Sequence, residues 1–190
     1  MPTYTLIAGV NGVGKSSFAS VLLSQSNDLG IFINADKIAA QLGSEILGGK
    51  SALKQIRRYV QEGISFTQET TLSGRQPLET IQEAREKGFR IHLHYIGLDS
   101  LEDSLERIQN RVRRGGHSIP EADVRRRFAK RFDDLLRVLP WCDSAKLYDN
   151  YNGFQLVALW QNGMLQPVGT SQPQWLKELE RKTSEEATER

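Results

Sequence analysis

Apolar and polar positions follow two rhythms along the chain. Short apolar runs recur at residues 4–10, 31–36, 64–71, 89–98 and 145–148. Their lengths, with a glycine near the end of the first and a carboxylate at the end of the second, predict five buried strands. Between them, apolar residues return every three or four positions, the spacing of a helix with one buried face. That spacing predicts helices over 15–25, 37–47, 51–61, 77–87, 101–114 and 120–139. Gly48-Gly49 separates the second helix from the third. Pro77 and Pro120 open helices, while Gly88 and Gly115-Gly116 close them.

The rhythm changes after residue 150. Runs at 154–160 and 164–168 flank Asn162-Gly163, a hairpin turn signal. Residues 176–190 are charged and poor in apolar side chains, and read as a short helix fraying into a tail. Strand–helix alternation followed by a hairpin predicts an α/β sandwich. Its sheet is mostly parallel, with the hairpin adding antiparallel edge strands. One domain over 1–170, with a charged C-terminal helix or tail at 171–190, accounts for the chain.

Composition narrows the class. With 190 residues, 38% hydrophobic and 25% charged, the chain can bury a core without disulfide or metal staples. A lone Cys142 excludes an internal disulfide framework and a zinc ribbon, and suits a reducing cytosol. No apolar run approaches the ~20 residues of a membrane span. The first residues lack the basic and apolar regions of a secretory signal. The expected location is cytoplasmic.

Gly9-Val10-Asn11-Gly12-Val13-Gly14-Lys15-Ser16 matches G-x-x-x-x-G-K-[ST], with an apolar strand before it and a helix after it. Glycines let the backbone wrap a polyphosphate closely. Successive N–H groups and the helix N-terminus then face the anion. Lys15 reaches the β- and γ-phosphates, and the Ser16 hydroxyl binds Mg²⁺. Ser17, an ordinary first-turn residue, completes the stretch. The predicted fold is therefore a P-loop NTPase three-layer sandwich.

Asp36 ends the second strand at its carboxyl edge, where ligands of open α/β sheets bind. It suits a base for an attacking hydroxyl, and equally the N-cap of the helix starting at Lys37. Glu69 and Thr70 close the third strand. Glu69 suits Mg²⁺ through water, a substrate contact or a loop bond. Arg75 suits a substrate phosphate or open solvent.

The net charge of +2 conceals an asymmetry. Residues 105–131 hold nine basic side chains against three acidic ones, net +6, leaving the remainder at −4. Two helices around Gly115-Gly116-His117-Ser118-Ile119-Pro120 make this segment a basic lid. Arginine suits bidentate contacts to phosphate. His117 serves the turn or contacts phosphate. His92 and His94 share a strand face without the partners a zinc site needs. Trp141, Trp160 and Trp175 read as packing residues.

Together these residues resemble the zeta-toxin family of P-loop kinases, in its small chromosomal form. The likeness runs through Ala8–Ser16, Ile33-Asn34-Ala35-Asp36 and Glu69-Thr70-Thr71-Leu72-Ser73-Gly74. It continues in Tyr95-Ile96-Gly97-Leu98, Arg111-Val112, Gly115-Gly116-His117, Ile119-Pro120 and Arg126-Arg127-Phe128. The resemblance implies a kinase using ATP, with GTP as the alternative nucleotide, and Mg²⁺. It implies UDP-N-acetylglucosamine or a similar nucleotide sugar as acceptor, and a small helical antitoxin as partner. Carried over, Lys15 and Ser16 are the Walker residues and Asp36 the base. Glu69 matches an acid of the active cleft; Thr70 and Arg75, read from the residues alone, join Asp36 and Glu69 as candidate substrate contacts. Arg111, Arg114 and Arg126 match the phosphate-binding arginines of the lid.

Two other classes remain open on the residues alone. Leu72-Ser73-Gly74-Arg75-Gln76 imitates the L-S-G-G-Q signature of ABC ATPases, and Asp99 ends the strand that follows. Only about 57 residues separate Gly14 from Leu72, too few for the helical subdomain of those ATPases. The basic segment also suits a polynucleotide kinase. Phe128 is its only aromatic residue, which disfavours nucleic acid.

Overall fold

A computed structural model describes residues 1–25, 29–116 and 118–188. The order is β1 (Thr3–Ala8), α1 (Lys15–Gln25), β2 (Ile31–Ile33), α2 (Ala35–Leu42), α3 (Glu45–Glu62), β3 (Phe66–Thr70) and α4 (Gln76–Glu86). Then come β4 (Arg90–Gly97), α5 (Leu101–Arg113), α6 (Glu121–Ala129), α7 (Arg131–Val138) and a 3-10 turn at Leu139–Trp141. β5 (Ser144–Asp149), β6 (Gln155–Gln161), β7 (Met164–Pro167) and α8 (Gln174–Thr188) complete the chain.

The strands form one sheet in the order β2-β3-β1-β4-β5-β6-β7. The first five are parallel; β6 and β7 are antiparallel. Asn162 and Gly163 both take positive φ, 53° and 77°, as the tight hairpin turn requires. Alternation on β1 divides the core. Tyr4, Leu6 and Ala8 enter one cluster with Phe66, Ile91 and Leu93. Ile7 enters another with Val13, Phe18, Ile96 and Phe128. The chain leaves β1 toward β2 on one side and leaves β4 toward β5 on the other. That reversal opens a crevice at the carboxyl ends of β1 and β4, where α/β sheets bind ligands.

Four boundaries differ from the sequence expectation. The second strand stops at Ile33 rather than Asp36, because the Asn34 side chain caps α2 by accepting the Lys37 N–H at 3.0 Å. The α2–α3 break falls at Gly43-Ser44, not at Gly48-Gly49. Gly43 is a left-handed C-cap with φ 65°, and the Ser44 side chain caps α3. Gly48 lies within α3, where a Cβ would fall 2.5 Å from the Ala39 Cβ. It permits the close crossing of α2 and α3.

The helix expected over 120–139 is two, broken at Lys130 (φ −96°, ψ 5°). A continuous helix would set Phe128 and Phe132 on one face. The break lets Phe128 join the phosphate-loop side of the core and Phe132 the other side. The Arg131 guanidinium stacks on both rings, 4.0 and 4.1 Å from their centroids, and pairs with Glu178 at 2.6 Å.

The last difference is α8. Trp175, Leu176 and Leu179 are fully buried in the core, so the helix docks rather than frays. Among the described residues, no helix is long and apolar enough to cross a membrane.

Candidate functional site

The loop between β1 and α1 sits in the crevice. Gly9, Gly12 and Gly14 take positive φ of 146°, 77° and 96°. Asn11, Val13 and Lys15 are buried. Lys15 Nζ donates to the Gly9 and Val10 carbonyls at 3.0 and 2.9 Å. Burial pushes its ammonium down to about 8, against the opposing pull of Glu69 and Asp36. Ser16 and Ser17 are exposed in the first turn of α1.

Ser16 Oγ donates to both Glu69 oxygens, at 3.0 and 3.1 Å. Asn34 Nδ2 donates to Glu69 Oε2 at 2.7 Å. A hydroxyl beside a carboxylate offers hard oxygen donors, which fits Mg²⁺ completed by substrate phosphates. Thr70 does not reach this group. Its Oγ1 accepts the Leu72 N–H at 3.0 Å and shapes the turn after β3.

Two cavities lie against α5, and the smaller reaches the loop at Asn11. The larger, about 560 Å³, is lined by Arg107, Asn110, Arg111, Arg114, Gly115 and Gly116. The smaller, about 200 Å³, holds Asp36 and Asp123 with Asn11, Arg111 and Arg127, against Ala39, Ile119 and Pro120. Arg111 lines both. Asp36 lies in the first turn of α2 and is exposed there; the cap expected of it belongs to Asn34.

The other basic candidates divide. Arg114 joins Arg111 at the larger cavity. Arg126 turns to Asp123 at 2.7 Å and lines neither cavity. Arg75 is exposed at the start of α4, also outside both linings. His117 lies outside the described residues. Arg127, absent from the sequence candidates, enters the site instead. Its Nη1 donates to Asn11 Oδ1 at 3.1 Å, and its Nε is buried without a hydrogen-bond partner. Helical phase was the available signal: Arg127 follows the buried Val124 by three residues, so it shares that helix face. Ser104 and Asn150 were also missed. Ser104 Oγ donates to the Asn11 carbonyl at 2.7 Å, and Asn150 Nδ2 to the Val13 carbonyl at 2.8 Å. Each lies far from the motif in sequence and carries no pattern.

The remaining candidates settle into packing. His92 Nδ1 meets Ser144 Oγ at 2.7 Å, and His94 stacks on Tyr148. Burial holds the His94 imidazole down at about 4. Burial raises the Cys142 thiol to about 12. Leu72 alone of the ABC-like run is buried, while Gly74 to Gln76 are exposed, and Asp99 accepts the Trp175 N–H at 2.8 Å and so secures α8.

No family model matches the chain. A protein of Haemophilus influenzae (strain ATCC 51907 / DSM 11121 / KW20 / Rd), described only as uncharacterized, is 36% identical over 126 residues. The alignment covers 63% of this chain and 88% of that protein. Among solved structures, the PezAT chromosomal toxin-antitoxin system of Streptococcus pneumoniae matches with TM-score 0.65 and 15% identity. That match covers 100% of this chain and 87% of the other. The AvrRxo1-ORF1:-ORF2 structure with ATP gives TM-score 0.68 and 18% identity over 97% of this chain and 64% of that one. A putative kinase from Chloroflexus aurantiacus gives 0.52 and 16%, over 65% and 76%. The chain belongs to one family with the Haemophilus influenzae protein, and its fold is that of the zeta-toxin-like P-loop kinases.

Proposed function

We propose that this chain is a kinase that passes the γ-phosphate of ATP to a hydroxyl of a small-molecule acceptor. The observation that carries the reading is the placement of Arg111, which lines both the larger, arginine-rich cavity and the smaller cleft holding Asp36. A transferring phosphoryl group passes between a nucleotide and an acceptor, and a guanidinium at that border stabilises its charge. ATP occupies the loop and the larger cavity; the acceptor occupies the cleft.

Each residue then has a chemical task. Lys15 and the loop amides hold the phosphates. Ser16 and Glu69 would hold Mg²⁺, which would neutralise charge on the β- and γ-oxygens. Asp36 takes the proton of the acceptor hydroxyl as its oxygen attacks the γ-phosphorus. The bond from that phosphorus to the β–γ bridging oxygen breaks, and ADP leaves. Arg111, Arg114 and Arg127 hold the phosphoryl oxygens. The first acceptor to test is a nucleotide sugar such as UDP-N-acetylglucosamine. A small antitoxin covering the nucleotide side is the corresponding partner. The PezAT and AvrRxo1 neighbours, a toxin-antitoxin system and a two-component ORF1:ORF2 structure, motivate that choice.

The test incubates the protein with Mg-ATP and UDP-N-acetylglucosamine and follows the acceptor by mass spectrometry. The expected product is heavier by one phosphate. Asp36→Ala is expected to lower transfer by ~10²–10⁴-fold while ATP affinity stays within about twofold. Full transfer by that variant would remove Asp36 as base. ATP turnover with every candidate acceptor unmodified would replace the kinase with an ATPase.

A further inference from the structure

The carbonyls of the phosphate loop are held almost one by one. Gly9 and Val10 take Lys15 Nζ, and Asn11 takes Ser104 Oγ. Val13 takes Asn150 Nδ2 at 2.8 Å, and Gly14 takes the Phe18 N–H at 2.9 Å. In a trans peptide the C=O and the following N–H point in opposite directions. A loop that aims its amides at an anion must therefore turn its carbonyls away, and each turned carbonyl needs a donor. Lys15 releases its two carbonyls when it serves phosphate. Apart from the Phe18 N–H, the donors that remain are side chains from elsewhere in the fold.

We infer that Asn150, in the turn between β5 and β6, is a positioning residue that aims the Val13–Gly14 peptide at bound phosphate. This rests on the reading of residues 9–16 as a polyphosphate cradle. By pinning the Val13 carbonyl outward, its carboxamide directs the Gly14 N–H the other way. Contact is close: a Cβ on Gly14 would sit 2.6 Å from Asn150 Nδ2. Asn150 is itself held. Its carbonyl accepts Arg107 Nη2 at 2.9 Å, and Arg107 lines the larger cavity. The preceding Asp149 accepts Trp175 Nε1 at 2.8 Å and the Tyr151 N–H at 3.1 Å. One residue thus joins the phosphate loop, lid helix α5 and, through Asp149, helix α8.

Inorganic tripolyphosphate is the probe, because it reports the cradle without base or acceptor. Calorimetry on wild type, Asn150→Ala and Asn150→Asp is run at pH 7.5 and pH 4, with a melting curve for each. Asn150→Ala is expected to bind about tenfold more weakly, the effect of one hydrogen bond, with an unchanged melting point. Asn150→Asp is expected to bind more weakly still at pH 7.5, where a carboxylate cannot donate. Its deficit relative to wild type should shrink at pH 4, where about half of an ordinary aspartic acid is protonated and can donate. In amide NMR spectra, the Gly14 proton should move downfield on binding in wild type and not in Asn150→Ala. Binding by Asn150→Ala within twofold of wild type overturns the inference and leaves the cradle intact. So does a loss that tracks a lowered melting point and does not recover in Asn150→Asp at pH 4. Wild type failing to bind tripolyphosphate overturns the cradle and the inference together.

Discussion

Ser16 and Glu69 meet side chain to side chain, the hydroxyl donating to both carboxylate oxygens at 3.0 and 3.1 Å. The residues are 53 apart in sequence. Parallel pairing of β1 with β3, with Ile7 opposite Glu69, brings them together. Asn34 completes the group from the end of β2.

A neutral isostere tests that pair. Glu69→Gln keeps the shape and removes the charge that draws a divalent cation. The Mg²⁺ needed for half-maximal transfer is expected to rise about tenfold or more, as one carboxylate ligand is lost. ATP affinity measured in EDTA should stay within twofold. A Mg²⁺ titration unchanged in the variant would remove Glu69 from the metal site.

Two adjacent arginines should behave differently. Arg127 meets Asn11 in the smaller cleft, while Arg126 is half exposed and paired with Asp123. Arg127→Ala is expected to lower kcat by ~10²–10³-fold, the cost of one donor to developing charge. Arg126→Ala removes an exposed pair worth about 0–1 kcal/mol and should leave kcat within a few-fold. Equal losses in steady-state assays would contradict the division.

Lys15 sets a pH signature. Burial lowers its ammonium to about 8, so the ligand-free protein loses that proton as pH rises through 8. Bound phosphate favours the charged form and raises the value again. Nucleotide binding near pH 8 should therefore take up protons, and affinity should fall as pH rises from 8 to 10. Calorimetry in buffers of different ionisation heat reads the uptake directly. Proton release, or none, would mean that Lys15 does not meet phosphate.

Trp175 anchors the C-terminal helix. Its ring lies against Gly97, its Nε1 bonds Asp149 and its backbone N–H bonds Asp99. Trp175→Ala should destabilise the fold by about 3–5 kcal/mol, the range for a buried aromatic. Trp175→Phe keeps most of the packing and should cost less. Urea titrations that show neither loss would mean α8 is dispensable.

The phosphate loop, the parallel strands and the hairpin were all legible in the residues. Each is local: a motif between strand and helix, a run of buried positions, an Asn-Gly turn. Helix ends were read less well, because Gly48-Gly49 looks like a break. Only the crossing of Ala39 against Gly48 shows why a glycine stands inside a helix. Trp175 was read as a packing residue, but the charged composition of residues 176–190 concealed that Leu176 and Leu179 are buried beside it.

The sequence by itself determined that this chain has a phosphate loop, a strongly basic segment around Gly115-Gly116 and a carboxylate, Glu69, near the end of a strand. Those features depend on residue type and near spacing. Only the tertiary structure decided which side chains share a cavity. Arg127 rather than Arg126 faces Asn11 because α6 breaks at Lys130 and seats Val124 and Phe128 in the core. Asn150 reaches Val13 because β5 ends beside β4 and so near the loop after β1. Such meetings join residues more than a hundred positions apart, and long-range packing leaves no periodic trace in a single chain.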